Sequence, residues 1–153
     1  MSDKSIFDKL LAEIDRLVSS GLSRDETLLR VCQLLESSVA YYDWVGFYLV
    51  EGEKELVLGP FAGEPTEHVR IAFGIGICGQ AAQRKETFLI QDVSCETNYL
   101  SCSPKVKAEI VVPIFKDGRV VGEFDIDSHQ LSPFSDEDRD FLEQICRRLS
   151  GLF

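Results

Sequence analysis

An α+β fold, with a central antiparallel sheet flanked by N- and C-terminal helices, is the class that this sequence predicts. Two observations carry it. Apolar residues recur at helical spacing near both ends of the chain, and β-forming runs separated by turn residues fill the stretch between them. Helices first, strands next and a helix last is the order of a layered α+β domain.

Each element follows from its residues. Over residues 5–20, Ile6, Phe7, Leu10, Leu11, Ile14, Leu17 and Val18 form one apolar stripe, which Gly21 ends. Ser23 and Glu26 make a capping-box pattern that opens a second helix bearing Leu28, Leu29, Val31, Cys32, Leu34, Leu35 and Val39. Residues 44–50 and 55–61 are rich in β-formers and are joined by Glu-Gly-Glu-Lys, a hairpin signal. Two further strands are expected at 68–73 and 87–93, on either side of a glycine-rich turn and a short helix near 77–85. Residues 94–107 show no periodicity and read as a loop with at most one helical turn. A second hairpin covers 108–116 and 119–127, turning at Asp117-Gly118. Pro133 and Ser135, followed by acids at 136–138, open a last helix with Phe141, Leu142, Ile145, Cys146 and Leu149. One domain over 1–153 results: helices at about 5–39, sheet and loops at about 44–128, and a helix at about 135–150.

The second hairpin supports a sharper expectation. Ile110, Val112 and Ile114 share one face of its first strand, and Val120, Phe124 and Ile126 one face of its second. A plain two-residue loop would pair Ile110 with Asp125 and drive the acid into the apolar face. A loop one residue different, with Gly118 left-handed in a bulge, pairs Ile110 with Phe124 instead. That register gathers Glu109, Glu123, Asp125 and Asp127 on the opposite face.

Composition narrows the partners. The chain has 153 residues, enough for a core, and a net charge of −10 from 26 acids and 16 bases. Nucleic-acid binding relies on clustered Lys and Arg, so no nucleic-acid partner is expected. No apolar run reaches the ~20 residues that span a bilayer and no signal-peptide pattern opens the chain, which predicts a cytoplasmic protein with no membrane association. Five cysteines, an odd number, argue against a structural disulfide framework, and no Cys-x-x-Cys or nearby histidine pair suggests a zinc site. Cys32 and Cys146 fall on apolar helix stripes as inert core thiols. Cys78, Cys95 and Cys102 are left as candidates for chemistry.

Several motifs admit more than one reading. Gly74-Ile-Gly76-Ile-Cys78-Gly79 fits the dinucleotide-binding glycine pattern, with Asp92 further on. It fits equally a tight strand-to-helix turn, or a turn that sets Cys78 at a helix N-terminus, where the dipole would lower its pKa. Asp125 and Asp127 point the same way and could be solvated edge acids, a weak magnesium pair, or part of a cluster whose crowding raises one pKa. Such a carboxyl group could donate a proton at neutral pH. Cys102 is either an unused loop thiol or one whose thiolate Lys105 and Lys107 favour. Trp44 and Tyr48, four apart on a strand, are either core aromatics or one wall of a pocket.

Together, these residues resemble a known family. Trp44-Val-Gly-Phe-Tyr48, Leu56-Val-Leu-Gly-Pro-Phe-x-Gly63, Gly76-Ile-Cys78-Gly, Cys102 with Glu109-Ile-Val-x-Pro-Ile-Phe, and Gly122-x-x-Asp125-Ile-Asp127-Ser are similar to the free methionine-(R)-sulfoxide reductases, stand-alone GAF-domain enzymes. The resemblance implies a GAF-like domain that reduces free L-methionine-(R)-sulfoxide in defence against oxidative stress, with no metal or organic cofactor. It implies Cys102 as nucleophile, Glu109, Asp125 and Asp127 as substrate-binding and proton-handling groups, and Trp44 and Tyr48 as the pocket wall. A sulfenic acid on Cys102 would condense with a second cysteine to a redox-active disulfide, which thioredoxin would reduce. Many members carry a further cysteine where His68 stands in this chain, and the usual His-Ile-Ala-Cys-Asp reads Tyr99-Leu-Ser-Cys102-Ser103. Cys78 is therefore the expected resolving thiol and Cys95 the alternative. A non-catalytic GAF module that binds a small ligand or senses redox state is the competing reading, and a homodimer through the terminal helices is compatible with either.

Overall fold

The computed structural model describes residues 3–100 and 103–153. Two helices open it, α1 (Asp3–Val18) and α2 (Arg24–Ser38), followed by strands β1 (Trp44–Glu51), β2 (Glu55–Ala62) and β3 (Arg70–Ala72). Helix α3 (Gly76–Arg84) leads to β4 (Phe88–Ile90), then to the hairpin β5 (Ala108–Lys116) and β6 (Arg119–Ser128), and α4 (Asp136–Leu149) completes the domain. The six strands form one antiparallel sheet in the order β3-β2-β1-β6-β5-β4.

The expected elements are present, with shorter third and fourth strands than the β-rich runs at 68–73 and 87–93 suggested. Val93 falls instead in a single 3₁₀ turn, Val93–Cys95, at the head of the long loop. The caps differ in completeness. Ser23 Oγ accepts the Glu26 N–H at the start of α2, whereas Ser135 and Asp138 make a full reciprocal box at the start of α4.

The hairpin expectation needs a correction. The turn is the plain two-residue one, with both Asp117 (φ 53°) and Gly118 (φ 77°) left-handed, and Lys116 pairs with Arg119. The extra residue sits inside the ladder and is Val121 of β6, since Ile114 pairs with Gly122 and Phe115 with Val120. Ile110 consequently pairs with Ile126, and Phe124 with Val112. The aliphatic face is kept, by a slip in the opposite direction from the one the sequence suggested.

Period-two alternation then divides the molecule into two layers. Val45, Phe47, Ile110, Val112, Ile114, Phe124 and Ile126 pack against α1, α2 and α4, with the Phe47 and Phe124 rings stacked at 4.3 Å. The reverse face meets α3: Trp44, Tyr48, Leu56, Ile71 and Val111 cluster with Ile77, Cys78, Ala81 and Ala82. No helix among the described residues is long and apolar enough to cross a membrane.

Candidate functional site

Three adjacent strands build the floor of the site. In β6, Glu123, Asp125 and Asp127 alternate onto the α3 face; β1 sets Tyr48, Gly46 and Trp44 beside them in register, and β5 adds Pro113, Val111 and Glu109. Cys78, Trp44, Tyr48, Glu109, Asp125 and Asp127 all lie in this one region, each no more than 5% exposed. Trp44 and Tyr48 face each other at 6.5 Å between ring centroids. The Trp44 indole N–H donates to the Glu64 carbonyl and the Tyr48 hydroxyl donates to the His68 carbonyl, at 2.9 and 2.8 Å.

The glycine pattern serves the turn into α3. Gly74 (φ 88°) and Gly76 (φ 67°) adopt left-handed backbone, and a Cβ on Gly79 would meet the Ala72 carbonyl at 2.5 Å. Asn98 braces this turn: its Oδ1 accepts the Gly76 N–H at 2.8 Å, and its Nδ2 donates to the Gly74 carbonyl at 2.7 Å. Gln80 Nε2 donates to the Asn98 carbonyl at 2.9 Å, so the loop toward residue 100 is fastened to α3.

Cys78, the third residue of α3, places its thiol 3.4 Å from Asp125 Oδ2 and 4.0 Å from Glu109 Oε2. Of the readings of the glycine motif, the one in which the helix start lowers the Cys78 pKa is opposed by its surroundings. Burial pushes the thiol well up, and the charges of Asp125, Glu109, Glu123 and Asp127 push it further. The carboxyl groups respond to the same crowding. Burial raises Asp125, but hydrogen bonds with Glu109 and Cys78 pull it back toward its charged form. Burial and the Asp125 charge hold Asp127 well above the usual carboxylate range, against a Glu109 hydrogen bond that lowers it. Glu123 is likewise well above its usual range, through burial and then Asp125. Among the described residues, both Glu123 oxygens, Asp125 Oδ1 and Asp127 Oδ1 are buried with no hydrogen-bond partner.

A small cavity of about 10 Å³ lies among these groups, with Cys78, Glu109, Asp125, Tyr48, His68 and Leu100 in its lining. It has room for about one water molecule. Larger clefts open elsewhere, one of about 520 Å³ among Arg24, Arg119 and Phe153 and one of about 410 Å³ where Cys146 meets Glu143, Arg139 and Arg147, but neither holds the thiol and acids of the β6 cluster. Chemistry rather than size marks the site.

The remaining cysteines separate cleanly. Cys32 and Cys146 are in the core, where burial raises both thiols far out of the reactive range. Cys95 is exposed on the 3₁₀ turn and does not line the cavity. Cys102, the expected nucleophile, lies outside the described residues. Two contributors escaped the sequence reading: Gly46 and Gly63 give the Trp44 ring its room, since a Cβ on either would come within 3 Å of it. The alternation that exposed Asp125 also exposed Glu123; nothing local pointed to the glycines.

An antiparallel sheet with α1, α2 and α4 on one face and a pocket under a short helix on the other is the arrangement of a GAF domain, and the GAF domain family model matches residues 21–151. GAF domain-containing protein A of Dictyostelium discoideum is 37% identical over 98% of this chain and 94% of its own length. The free methionine-R-sulfoxide reductase of Escherichia coli is 34% identical over 97% of this chain and 89% of its own. The structure of the Neisseria meningitidis free methionine-R-sulfoxide reductase, solved in complex with its substrate, superposes with a TM-score of 0.94 at 34% identity, covering 100% of this chain and 91% of that one. The chain belongs to the GAF-domain free methionine-R-sulfoxide reductases, a family of oxidoreductases.

Proposed function

We propose that this protein reduces free L-methionine-(R)-sulfoxide to methionine, with Cys102 as nucleophile and Cys78 as resolving thiol. The observation that carries the proposal is the meeting of Cys78 with Glu109 and Asp125 at 4.0 and 3.4 Å, beside Trp44 and Tyr48. The Cys102 thiolate attacks the sulfoxide sulfur, and the sulfoxide oxygen takes a proton from a carboxyl group. Asp127, whose burial holds its proton, suits that donation. Oxygen passes to the enzyme sulfur, methionine leaves, and Cys102 becomes a sulfenic acid; the substrate sulfur is reduced as the cysteine is oxidised.

The resolving step needs a base, because burial and four acids keep Cys78 protonated. Asp125 receives the Cys78 hydrogen bond and is the acceptor within reach. The resulting thiolate attacks the Cys102 sulfur, a disulfide forms, and hydroxide departs with the proton as water. A thioredoxin dithiol in the cytoplasm then restores both thiols by exchange. The carboxylates also suit the substrate's ammonium group. Leu100, two residues before Cys102, lines the cavity, which supports a nucleophile close by.

The test follows NADPH consumption in the presence of thioredoxin, thioredoxin reductase and separated sulfoxide epimers. Turnover of the free R-epimer is expected, and its absence while a known reductase works in parallel would defeat the reading in favour of a ligand-binding module. Cys102→Ser should abolish activity. Cys78→Ser should yield one methionine per chain and then stop in the thioredoxin-linked assay; if Cys95→Ser stops there instead, Cys95 is the resolving thiol.

A further inference from the structure

We propose that Cys78, Glu109 and Asp125 form a binding site for a thiophilic divalent cation, zinc foremost. One ligand atom from each of the three residues lies within 4.8 Å of the other two, and all three residues are buried. The sulfur stands 3.4 Å from Asp125 Oδ2 and 4.0 Å from Glu109 Oε2. Tetrahedral zinc, with Zn–S of about 2.3 Å and Zn–O of about 2.0–2.2 Å, separates a sulfur and an oxygen ligand by about 3.5 Å. The two distances bracket that edge, so small side-chain movements close the site.

A second observation also points to a ligand. Among the described residues, Asp125 Oδ1, on one of the three ligands, and Asp127 Oδ1, two positions along the same strand, are buried with no hydrogen-bond partner. Buried polar atoms ordinarily have one, and a cation would satisfy them. Solvent would supply the fourth ligand. Scaffold rigidity favours binding: Glu109 and Asp125 project from adjacent strands and Cys78 from the first turn of α3.

The choice of metal follows from donor and space. Thiolate selects zinc over magnesium or calcium. The cavity of about 10 Å³, about one water in size, suits a nearly bare ion, not the several waters that magnesium retains or the six to eight oxygens that calcium requires. As the metal–ligand bonds form, the thiol proton and any carboxyl proton pass to solvent; no electrons are transferred.

The test uses the full-length, reduced protein after chelator treatment. Zinc is titrated against a chromophoric chelator, and cobalt(II) serves as a spectroscopic probe. One cation per chain is expected, with a thiolate-to-cobalt charge-transfer band and intense tetrahedral ligand-field bands. Cys78→Ser should remove the charge-transfer band. Asp125→Asn and Glu109→Gln, which keep side-chain size, should each weaken zinc by about tenfold or more. Cys95→Ser and Cys102→Ser should leave the band in place. Absence of stoichiometric binding overturns the proposal, as does a band that survives Cys78→Ser or disappears in either of the other cysteine variants. If Cys78→Ser does not fold, unchanged affinity in the two carboxyl variants overturns it equally. The site shares Cys78, Glu109 and Asp125 with the reductase reading, but the two are tested separately: metal binding without sulfoxide turnover upholds the one and defeats the other.

Discussion

Cys78 shows how two local rules can oppose each other at one atom. Backbone N–H groups at a helix start favour a thiolate, but complete burial beside four acids favours the thiol, and burial is the larger effect. Glu123 is the clearest member of the acid group for a stability experiment, because among the described residues neither of its oxygens has a hydrogen-bond partner. Its pKa is raised by folding, so the protonated form is the one that the native state prefers. Its contribution is complete below the unfolded value near 4.5 and is lost as pH rises toward the folded value. Urea midpoints should therefore fall between pH 5 and pH 8 more steeply in the parent protein than in Glu123→Gln; parallel slopes would contradict this assignment. At the pocket wall, an alanine methyl at Gly46 would lie 2.6 Å from Trp44 Cζ3 and 2.8 Å from Phe61 Cβ. Overpacking of that kind costs about 1–3 kcal/mol, so Gly46→Ala should raise KM for the free sulfoxide about tenfold by displacing the indole. The acids were legible in the sequence because alternation states which side chains share a face. Gly46 was not, since its role depends on where a neighbouring ring lies in space.

Among the elements, the β5–β6 hairpin separates what alternation determines from what it leaves open. Pairing Ile110 with Phe124 or with Ile126 differs by two residues, and a two-residue slip returns every side chain to its own face. The apolar pattern therefore specified the faces correctly while leaving the location of the extra residue undetermined. Helix α4 was easier to read, since its cap and stripe are both local. Asp138 nevertheless does more there than close the box: it also accepts hydrogen bonds from the hydroxyls of Tyr42 and Tyr41 at 2.6 and 2.8 Å. Those tyrosines precede it by nearly a hundred residues, so the contact had no sequence signal. Asp138→Ala deprives two hydroxyls and a helix terminus of their acceptor, and should lower unfolding free energy by about 3 kcal/mol in denaturant titration. A loss of only a few tenths would contradict this account.

For the molecule as a whole, the order of helices and strands was evident from periodicity, but the central pairing of β1 with β6 was not. Their partner residues, such as Trp44 and Asp127, are separated by most of the sheet's sequence. That pairing matters to the proposed function because it sets Trp44 and Tyr48 beside the acids. A second long-range link acts on the proposed redox cycle. Asn98 joins the loop before Cys102 to the turn before Cys78. Along the chain the two cysteines are 24 residues apart, but through the Asn98–Gly76 contact the path is four residues on one side and two on the other. Since ring-closure entropy scales as (3/2)RT ln n, shortening the free path about fourfold is worth about 1.2 kcal/mol, or about eightfold in the effective concentration of one thiol at the other. Asn98→Ala should accordingly slow disulfide closure about eightfold in rapid-quench measurements while leaving methionine release in the first turnover unchanged. In the proposed cycle the asparagine would thus work as a molecular tether, prepaying the entropy of a bond that forms only once per turnover.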